Sequence, residues 1–390
     1  NHSESKLLFI TDLIWENIDA EQVPDLQAVL SLNNMELILS RMSKSQAVDT
    51  MTIEDLFAEA YPNGFSKDNV KYIERSNAEV ASINYTSGTT GFSKGVITPA
   101  NALAGNILFG FKTGLVYPGC RHVAFLPLAH AYGCAFDFLA CLAAGGHTHL
   151  IGRTPSPKIL MKAFAEVKPT LILSVPLIQP QISRTAVSWV LKMPLLDKVV
   201  LNKIRETLVN AFGGEFSEII IGGAPLNAEV EAFLKRLKFP LTVGYGMTET
   251  APLISFAHWD KFKSQSCGRV LDGLMEVRIA SPDGDGVGEI QVRGEHVMLG
   301  YYKNEQATKE SFTEDGWLRT GDLGTVDADG FIYIKGRCKT MLLGASGQNI
   351  YPEEIEAKIN NMPYVLESLV LQKDTKLVAL VCPDFEAVDA

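Results

Sequence analysis

Residues 85–95, YTSGTTGFSKG, constrain this chain more than any other stretch of it. The hydroxyl residues Thr86, Ser87, Thr89 and Thr90, the glycines Gly88 and Gly91, and Lys94 fall within eleven positions. Glycine permits positive φ and close approach of the backbone to a ligand. Successive exposed N–H groups then form an anion-binding concavity, to which hydroxyls and an ammonium add donors. Such a loop is suited to gripping a polyphosphate. Residues 80–85 before it are predicted to form a strand, and Thr98 with Pro99 after it a helix start. The P-loop is excluded, because Ser93 rather than Gly precedes Lys94 and Gly95 rather than Ser or Thr follows it.

Composition narrows the partners. The chain has 390 residues, 46% hydrophobic and 21% charged, as in an ordinary globular protein of two domains or one large one. A net charge of −10 argues against nucleic-acid binding, which needs basic surface to displace counterions. Anionic substrates must be met by local donors. Cys120, Cys134, Cys141, Cys267, Cys338 and Cys382 form no CxxC pair and read as small buried hydrophobes in a reducing compartment. His147 and His149 share a strand face without nearby ligands, which argues against a metal there. The sequons at Asn1 and Asn84 are read as chance. With no signal peptide and no apolar run of about 18 residues, a cytoplasmic protein without a transmembrane segment is expected, peripheral membrane contact remaining open.

Apolar β-type runs at 123–126, 171–174, 219–221 and 241–243 alternate with amphipathic helices. In the helix expected over 228–238, Val230, Phe233, Leu234 and Leu237 form an i, i+3, i+4, i+7 stripe. Glu229 and Glu231 near its start and Lys235, Arg236 and Lys238 near its end suit the macrodipole. A second helix is expected to start at Ser156 with Pro157 in its first turn. The alternation implies an α/β fold, a largely parallel sheet covered by helices. After Cys267 short strands with Gly and Asp turns, at 283–288 and 327–330, suggest a smaller antiparallel barrel-like unit.

Further stretches carry chemistry. In VGYGMTETAP (243–252) Tyr245 offers a flat face to a purine, and Thr248, Glu249 and Thr250 set a carboxylate between hydroxyls, which suits Mg²⁺ held with nucleotide phosphates. GWLRTGDLG (316–324) centres on Asp322, able to accept ribose hydroxyl protons, and Arg337 in GRCKTMLLGASGQNIYPEEIE (336–356) is a second ribose or phosphate partner. IIIGGAPL (219–226) reads on its own as a strand end and turn. GEIQVRGEHVMLGYYKN (288–304) lies between. In FLPLAHAYG (125–133), His130 reads equally as a core histidine or a pocket group. The small and apolar residues of 131–146 leave room for an aliphatic tail.

In their order, these stretches resemble the adenylate-forming superfamily of acyl-CoA synthetases, luciferases and peptide-synthetase adenylation domains, and among them the bacterial long-chain fatty-acid–CoA ligases. The one departure in the loop is Ser93, where the family usually has Pro. The resemblance implies ATP and CoA as co-substrates with Mg²⁺, and a long- or medium-chain fatty acid activated to acyl-AMP and passed to CoA. An acyl-AMP ligase loading a carrier protein and a non-catalytic AMP- or acyl-binding module are the alternatives. Thr86, Ser87, Gly88, Thr89, Thr90, Gly91 and Lys94 would bind phosphates. Gly223, Ala224, Pro225, Gly244, Tyr245, Gly246, Met247, Thr248, Asp322 and Arg337 would complete the ATP/AMP site. Lys94, Thr248 and Glu249 are the expected catalytic residues, Glu249 also meeting the metal. His130, Tyr132, Gly133 and Phe136 would line the acyl pocket, Lys339 would be a domain hinge, and Gly347 would let pantetheine pass. Asp137 does not match the register of an amino-acid-binding aspartate, which favours a fatty acid. The resemblance also implies an N-terminal domain over 1–338 whose start is missing, and a partial C-terminal domain over 339–390 without the family's adenylation lysine.

Overall fold

The computed structural model describes residues 2–41, 53–71, 74, 76–86, 93–152, 155–175, 198–223, 226–343, 349–360, 362, 364–373 and 376–383. Two compact units emerge, Asn1–Arg75 and Ser76–Ala390. In the first, strand β1 (Leu7–Ile10) lies parallel to β2 (Ala28–Ser31), which pairs antiparallel with β3 (Leu37–Ser40). Ile10, Leu26 and Val29 form its small core.

The second unit opens with β4 (Val80–Thr86) and β5 (Lys94–Pro99), an antiparallel pair whose register sets Thr86 opposite Lys94. The glycine-rich segment is therefore the connection of a β-hairpin. The expected helix start lies one residue further on: α1 (Ala100–Lys112) begins after Pro99, which takes the cap position at the end of β5. Strands β6 (Arg121–Ala124) and β7 (His147–Leu150) run parallel. Between them lies a π-helical segment, Gly133–Ala140. Helix α2 (Pro157–Val167) starts as expected, Ser156 Oγ accepting from the Ile159 N–H, and Lys168 ends it in the left-handed region.

Strands β8 (Ile172–Ser174), β9 (Ile219–Ile221) and β10 (Leu241–Val243) form a parallel sheet in the order β10-β9-β8. Their near-continuous apolar sequence, almost wholly buried, is that of a sheet covered on both faces. Helix α3 (Ala228–Arg236) crosses from β9 to β10. Asn227 Oδ1 caps it by accepting from the N–H groups of Glu229 and Val230, and Phe233 and Leu234 are buried. It stops two residues short of the expected Lys238, which adopts a positive φ of 51°.

Past β10 the strands shorten: β11 (Tyr245–Gly246), β12 (Leu253–Phe256) and β13 (Arg269–Val270) form one antiparallel sheet. Strands β14 (Met275–Ala280), β15 (Gly288–Gly294), β16 (Gly300–Tyr301), β17 (Leu318–Val326) and β18 (Ile332–Arg337) follow. Their antiparallel sheet runs β14-β15-β17-β18, while β16 leaves it to pair with β5. The expected barrel-like part is a four-stranded sheet in which β14 does not pair with β18; the outer edge of β18 is instead met by the segment leading into β13, the Cys267 N–H donating to the Ile332 carbonyl at 2.8 Å. Both expected turns form, Asp283 and Asp327 each accepting from two backbone N–H groups of its own loop. Toward the C-terminus follow β19 (Leu342–Leu343) with β20 (Asn349–Ile350), helix α4 (Pro352–Ile359), and the hairpin β21 (Val365–Lys373) and β22 (Lys376–Pro383).

Candidate active site

The pairing of β16 with β5 brings three distant stretches of sequence together. Tyr301 lies opposite Val96, and the Tyr302 N–H donates to the Gly95 carbonyl at 2.7 Å. The Tyr301 ring carries the Lys94 ammonium over its face, Nζ lying 4.8 Å from the centroid. Its hydroxyl donates to Glu249 Oε1 at 2.7 Å. Burial and the neighbouring Glu249 carboxylate push the Tyr301 phenol well above its ordinary value, so it stays a neutral donor. Lys94, Tyr301 and Glu249 thus stand as cation, aromatic spacer and carboxylate. Ser87, Gly88, Thr89, Thr90 and Gly91 lie outside the described residues, so Thr86 and Lys94 alone mark the ends of the loop.

Glu249 sits in a short 3₁₀ turn, Thr248–Thr250, held from behind. The Met298 N–H donates to the Glu249 carbonyl at 2.8 Å. Thr248 is half-buried beside the carboxylate. Thr250, expected as a second flanking hydroxyl, is fully buried instead; its hydroxyl bonds the carbonyls of Met247 and Pro252 and closes the turn. Gly246 makes this packing possible, since a Cβ there would run into the Pro252 carbonyl oxygen. Among the described residues no group of three His, Cys, Asp or Glu side chains gathers round Glu249. A single carboxylate fits Mg²⁺, which binds by one or two carboxylates with substrate phosphates and water.

A second cluster is centred on Asp322. Asp322 on β17 lies directly opposite Arg337 on β18, and Arg337 Nε donates to its Oδ1 at 2.9 Å. Tyr245 donates its hydroxyl to Oδ2 at 2.7 Å. Burial and the Asp322 charge hold the Tyr245 phenol far above its ordinary value. The Asp322 charge raises Arg337 too, keeping the guanidinium protonated. Tyr245 is 7% exposed, so little of its ring is open to stack on a base. Arg337 is more than half exposed and remains within reach of a ligand. Gly244 continues β10 into β11, its N–H donating to the Ile221 carbonyl, and Gly223 follows β9 with a φ of 84°. Ala224 and Pro225 lie outside the described residues.

The expected acyl-pocket residues surround the start of the π-helix. His130 is exposed, which removes the core-histidine reading. The Tyr132 hydroxyl donates to the Ile220 carbonyl at 3.0 Å, and its ring lies against Gly222. Gly133 packs on the Pro127 carbonyl, and Phe136, 3% exposed, meets Tyr132 edge to face. π-Helical turns are frequent at functional sites. Lys339 is exposed in the turn that ends β18, and Gly347 lies outside the described residues. Beyond the turn, α4 meets β18 through Lys335 Nζ with Glu354 Oε1 at 3.2 Å.

The family model of the AMP-binding enzymes matches residues 1–302. The chain belongs to that family. A long-chain-fatty-acid–CoA ligase, FadD15, of Mycobacterium bovis is 32% identical over 349 residues, covering 80% of this chain and 56% of the relative. The ligase ACSBG2 of Gallus gallus is 29% identical, covering 76% of this chain and 43% of its own. The chain thus spans about half the length of the curated relatives it matches. Among solved structures, ATP-bound MatB of Rhodopseudomonas palustris superposes with a TM-score of 0.72 at 26% identity, covering 99% of this chain and 70% of MatB. The MenE synthetase of Bacillus subtilis with ATP and magnesium, at 23% identity and a TM-score of 0.67, shares the fold. Tyr301, which joins Lys94 to Glu249, had no role assigned from sequence, although it stands in the GYYKN that ends the stretch 288–304.

Proposed function

We propose that this protein is an ATP-dependent, AMP-forming fatty-acid–CoA ligase. The observation that carries this reading is the convergence of Lys94, Tyr301 and Glu249, an ammonium and a carboxylate held apart by one ring at the mouth of a glycine-rich hairpin. The names of the two curated relatives reported above, both long-chain-fatty-acid–CoA ligases, support the substrate class. A fatty-acid carboxylate oxygen attacks the α-phosphorus of ATP, forming acyl-AMP and releasing pyrophosphate. CoA thiolate then attacks the acyl carbonyl, and AMP leaves.

Phosphoryl transfer asks a protein mainly for positioning and charge stabilisation. Lys94 and the loop residues Thr86, Ser87, Gly88, Thr89, Thr90 and Gly91 hold the β- and γ-phosphates. Bound magnesium would neutralise phosphate charge as pyrophosphate leaves, with Glu249 as its protein ligand and Thr248 beside the α-phosphate. Asp322 and Arg337 take the ribose; Tyr245 fixes Asp322 beneath it and lends adenine only its edge. His130, Tyr132, Gly133 and Phe136 stand at the acyl entrance. Residues 339–390 form the mobile domain, turning at Lys339 so that Gly347 admits the pantetheine arm. Pyrophosphate release measured over straight-chain acids from acetate to octadecanoate, with and without CoA, tests the reading. Release with long acids and an acyl-CoA product is expected. Acyl-AMP that accumulates and ignores CoA would reassign the acceptor to a carrier protein, and no release with any acid would reject the proposal.

A further inference from the structure

Four polar side chains are buried together where the π-helix packs on β6. Cys120 precedes β6, His122 lies within it, Asp137 is on the π-helix and Cys141 follows it. Cys120, His122 and Cys141 are each 0% exposed and Asp137 1%. Donor atoms of Cys120, His122 and Cys141 all lie within 4.8 Å of one another. The two sulfurs are 3.7 Å apart. Tetrahedral zinc with Zn–S bonds of about 2.3 Å spaces its sulfurs about 3.8 Å apart. His122 Nδ1 lies 3.5 Å from Asp137 Oδ1.

Hydrogen bonding within the protein leaves this cluster unsatisfied. Both ring nitrogens of His122 and both carboxylate oxygens of Asp137 are buried without a hydrogen-bond partner. Buried polar groups in that state call for an explanation. The two sulfurs pack directly on the backbone at Gly146, where a Cβ would come within 2.5 Å of Cys120 Sγ and 2.7 Å of Cys141 Sγ. A disulfide would account for the two cysteines and a protonated His122 facing Asp137 for the other two groups, whereas a bound cation accounts for all four at once.

We propose that Cys120, His122 and Cys141 bind a zinc ion. Two thiolates and a neutral imidazole make an electroneutral centre with Zn²⁺. His122 coordinates through Nε2, while Nδ1–H faces the Asp137 carboxylate, the arrangement that orients metal-bound histidines. A coordinating dication removes the thiol protons outright. The ion would pin the start of β6 to the C-terminal end of the π-helix, the element carrying Gly133 and Phe136. It is a structural clamp behind the acyl pocket. This inference depends on the buried cluster alone and stands or falls apart from the proposed activity.

The test is metal content. Protein purified in reducing buffer without chelator is expected to carry one zinc per chain by inductively coupled plasma mass spectrometry. Cys141→Ser and His122→Asn should each lose it at least tenfold, while Cys382→Ser, on exposed β22, keeps it. Should those two variants fail to fold, wild-type protein stripped by a chelator and titrated with Co²⁺ decides. Thiolate-to-cobalt charge transfer with tetrahedral d–d bands is expected. Wild-type protein that is metal-free as purified and gives no cobalt bands would overturn the proposal. So would full zinc content in soluble Cys141→Ser, or an intact mass lighter by two hydrogens that places Cys120 and Cys141 in a disulfide.

Discussion

The hydroxyl of Tyr301 donates to Glu249 at 2.7 Å, across 52 positions of sequence. The bond aims a carboxylate that would otherwise swing with its 3₁₀ turn. Tyr301→Phe keeps the ring under Lys94 and removes the donor. Adenylation is expected to fall about tenfold to a hundredfold, as for a lost hydrogen bond to a charged group. Glu249→Gln should fall about a hundredfold or more, as for a lost preorganised electrostatic partner. ATP–pyrophosphate exchange measures both, and wild-type rates in Glu249→Gln would remove Glu249 from the site.

Lys94→Ala leaves the hairpin pairing intact, since Lys94 joins it through its backbone. The apparent affinity for ATP should weaken about tenfold or more, with the thermal midpoint nearly unchanged, because a half-buried ammonium over a single ring contributes little to stability. Calorimetric titration with ATP and a melting curve on the same sample check this. A large drop in midpoint with normal ATP binding would make Lys94 a structural residue.

Much of this architecture can be read in the residues. Ile219–Ile221 and Leu241–Val243 are strands because unbroken apolar runs suit a sheet covered on both faces. Asn227 and Ser156 cap their helices through short side chains, a local signal. Tyr301 was not legible, since its partners depend on β16 leaving its neighbours in sequence to pair with β5. Thr250 misled because a hydroxyl beside a carboxylate reads as a ligand until the turn buries it. The cluster of Cys120, His122, Asp137 and Cys141 was hidden by the same kind of distance, its members meeting only where the π-helix packs on β6. A Cys–x–His pair followed by another cysteine was the one trace of it.

Gly246→Ala tests the packing under Glu249. The added Cβ meets the Pro252 carbonyl, and neither backbone segment can yield without disturbing the turn. A loss of about 1–3 kcal/mol is expected from such overpacking, read as a lower midpoint in urea. An unchanged midpoint would mean that the turn is looser than described.

His258 should make stability depend on pH. Its Nδ1 lies 2.6 Å from Glu218 Oε1, and Glu218 is buried between β8 and β9 with its other oxygen on the Trp259 N–H. The Glu218 hydrogen bond raises the His258 pKa, with the Thr113 carbonyl and Asp260 adding to it against burial. A raised folded-state pKa contributes stability that is full below the unfolded value of about 6.5 and lost as pH rises through the folded value. Melting temperature should therefore decline from about pH 6 to pH 8. In His258→Gln that decline should flatten, and an identical slope in both proteins would exclude the pair as its source.

Lys339→Pro addresses the proposed hinge. Proline fixes φ where a hinge must change it. Acyl-AMP formation is expected to survive, while thioester formation from preformed acyl-AMP and CoA is lost. Equal loss of both steps would point to misfolding or to a rigid arrangement.

The pairing of Asp322 with Arg337 has a thermodynamic consequence. Arg337 is the last residue of β18, and its carbonyl accepts from the N–H groups of Thr340 and Met341, so the turn leading to α4 is anchored on it. A nucleotide that draws the guanidinium toward its ribose therefore also pulls on that anchor. Coupling free energies are reciprocal. Whatever posture of the chain beyond Arg337 tightens nucleotide binding is the posture that bound nucleotide will favour.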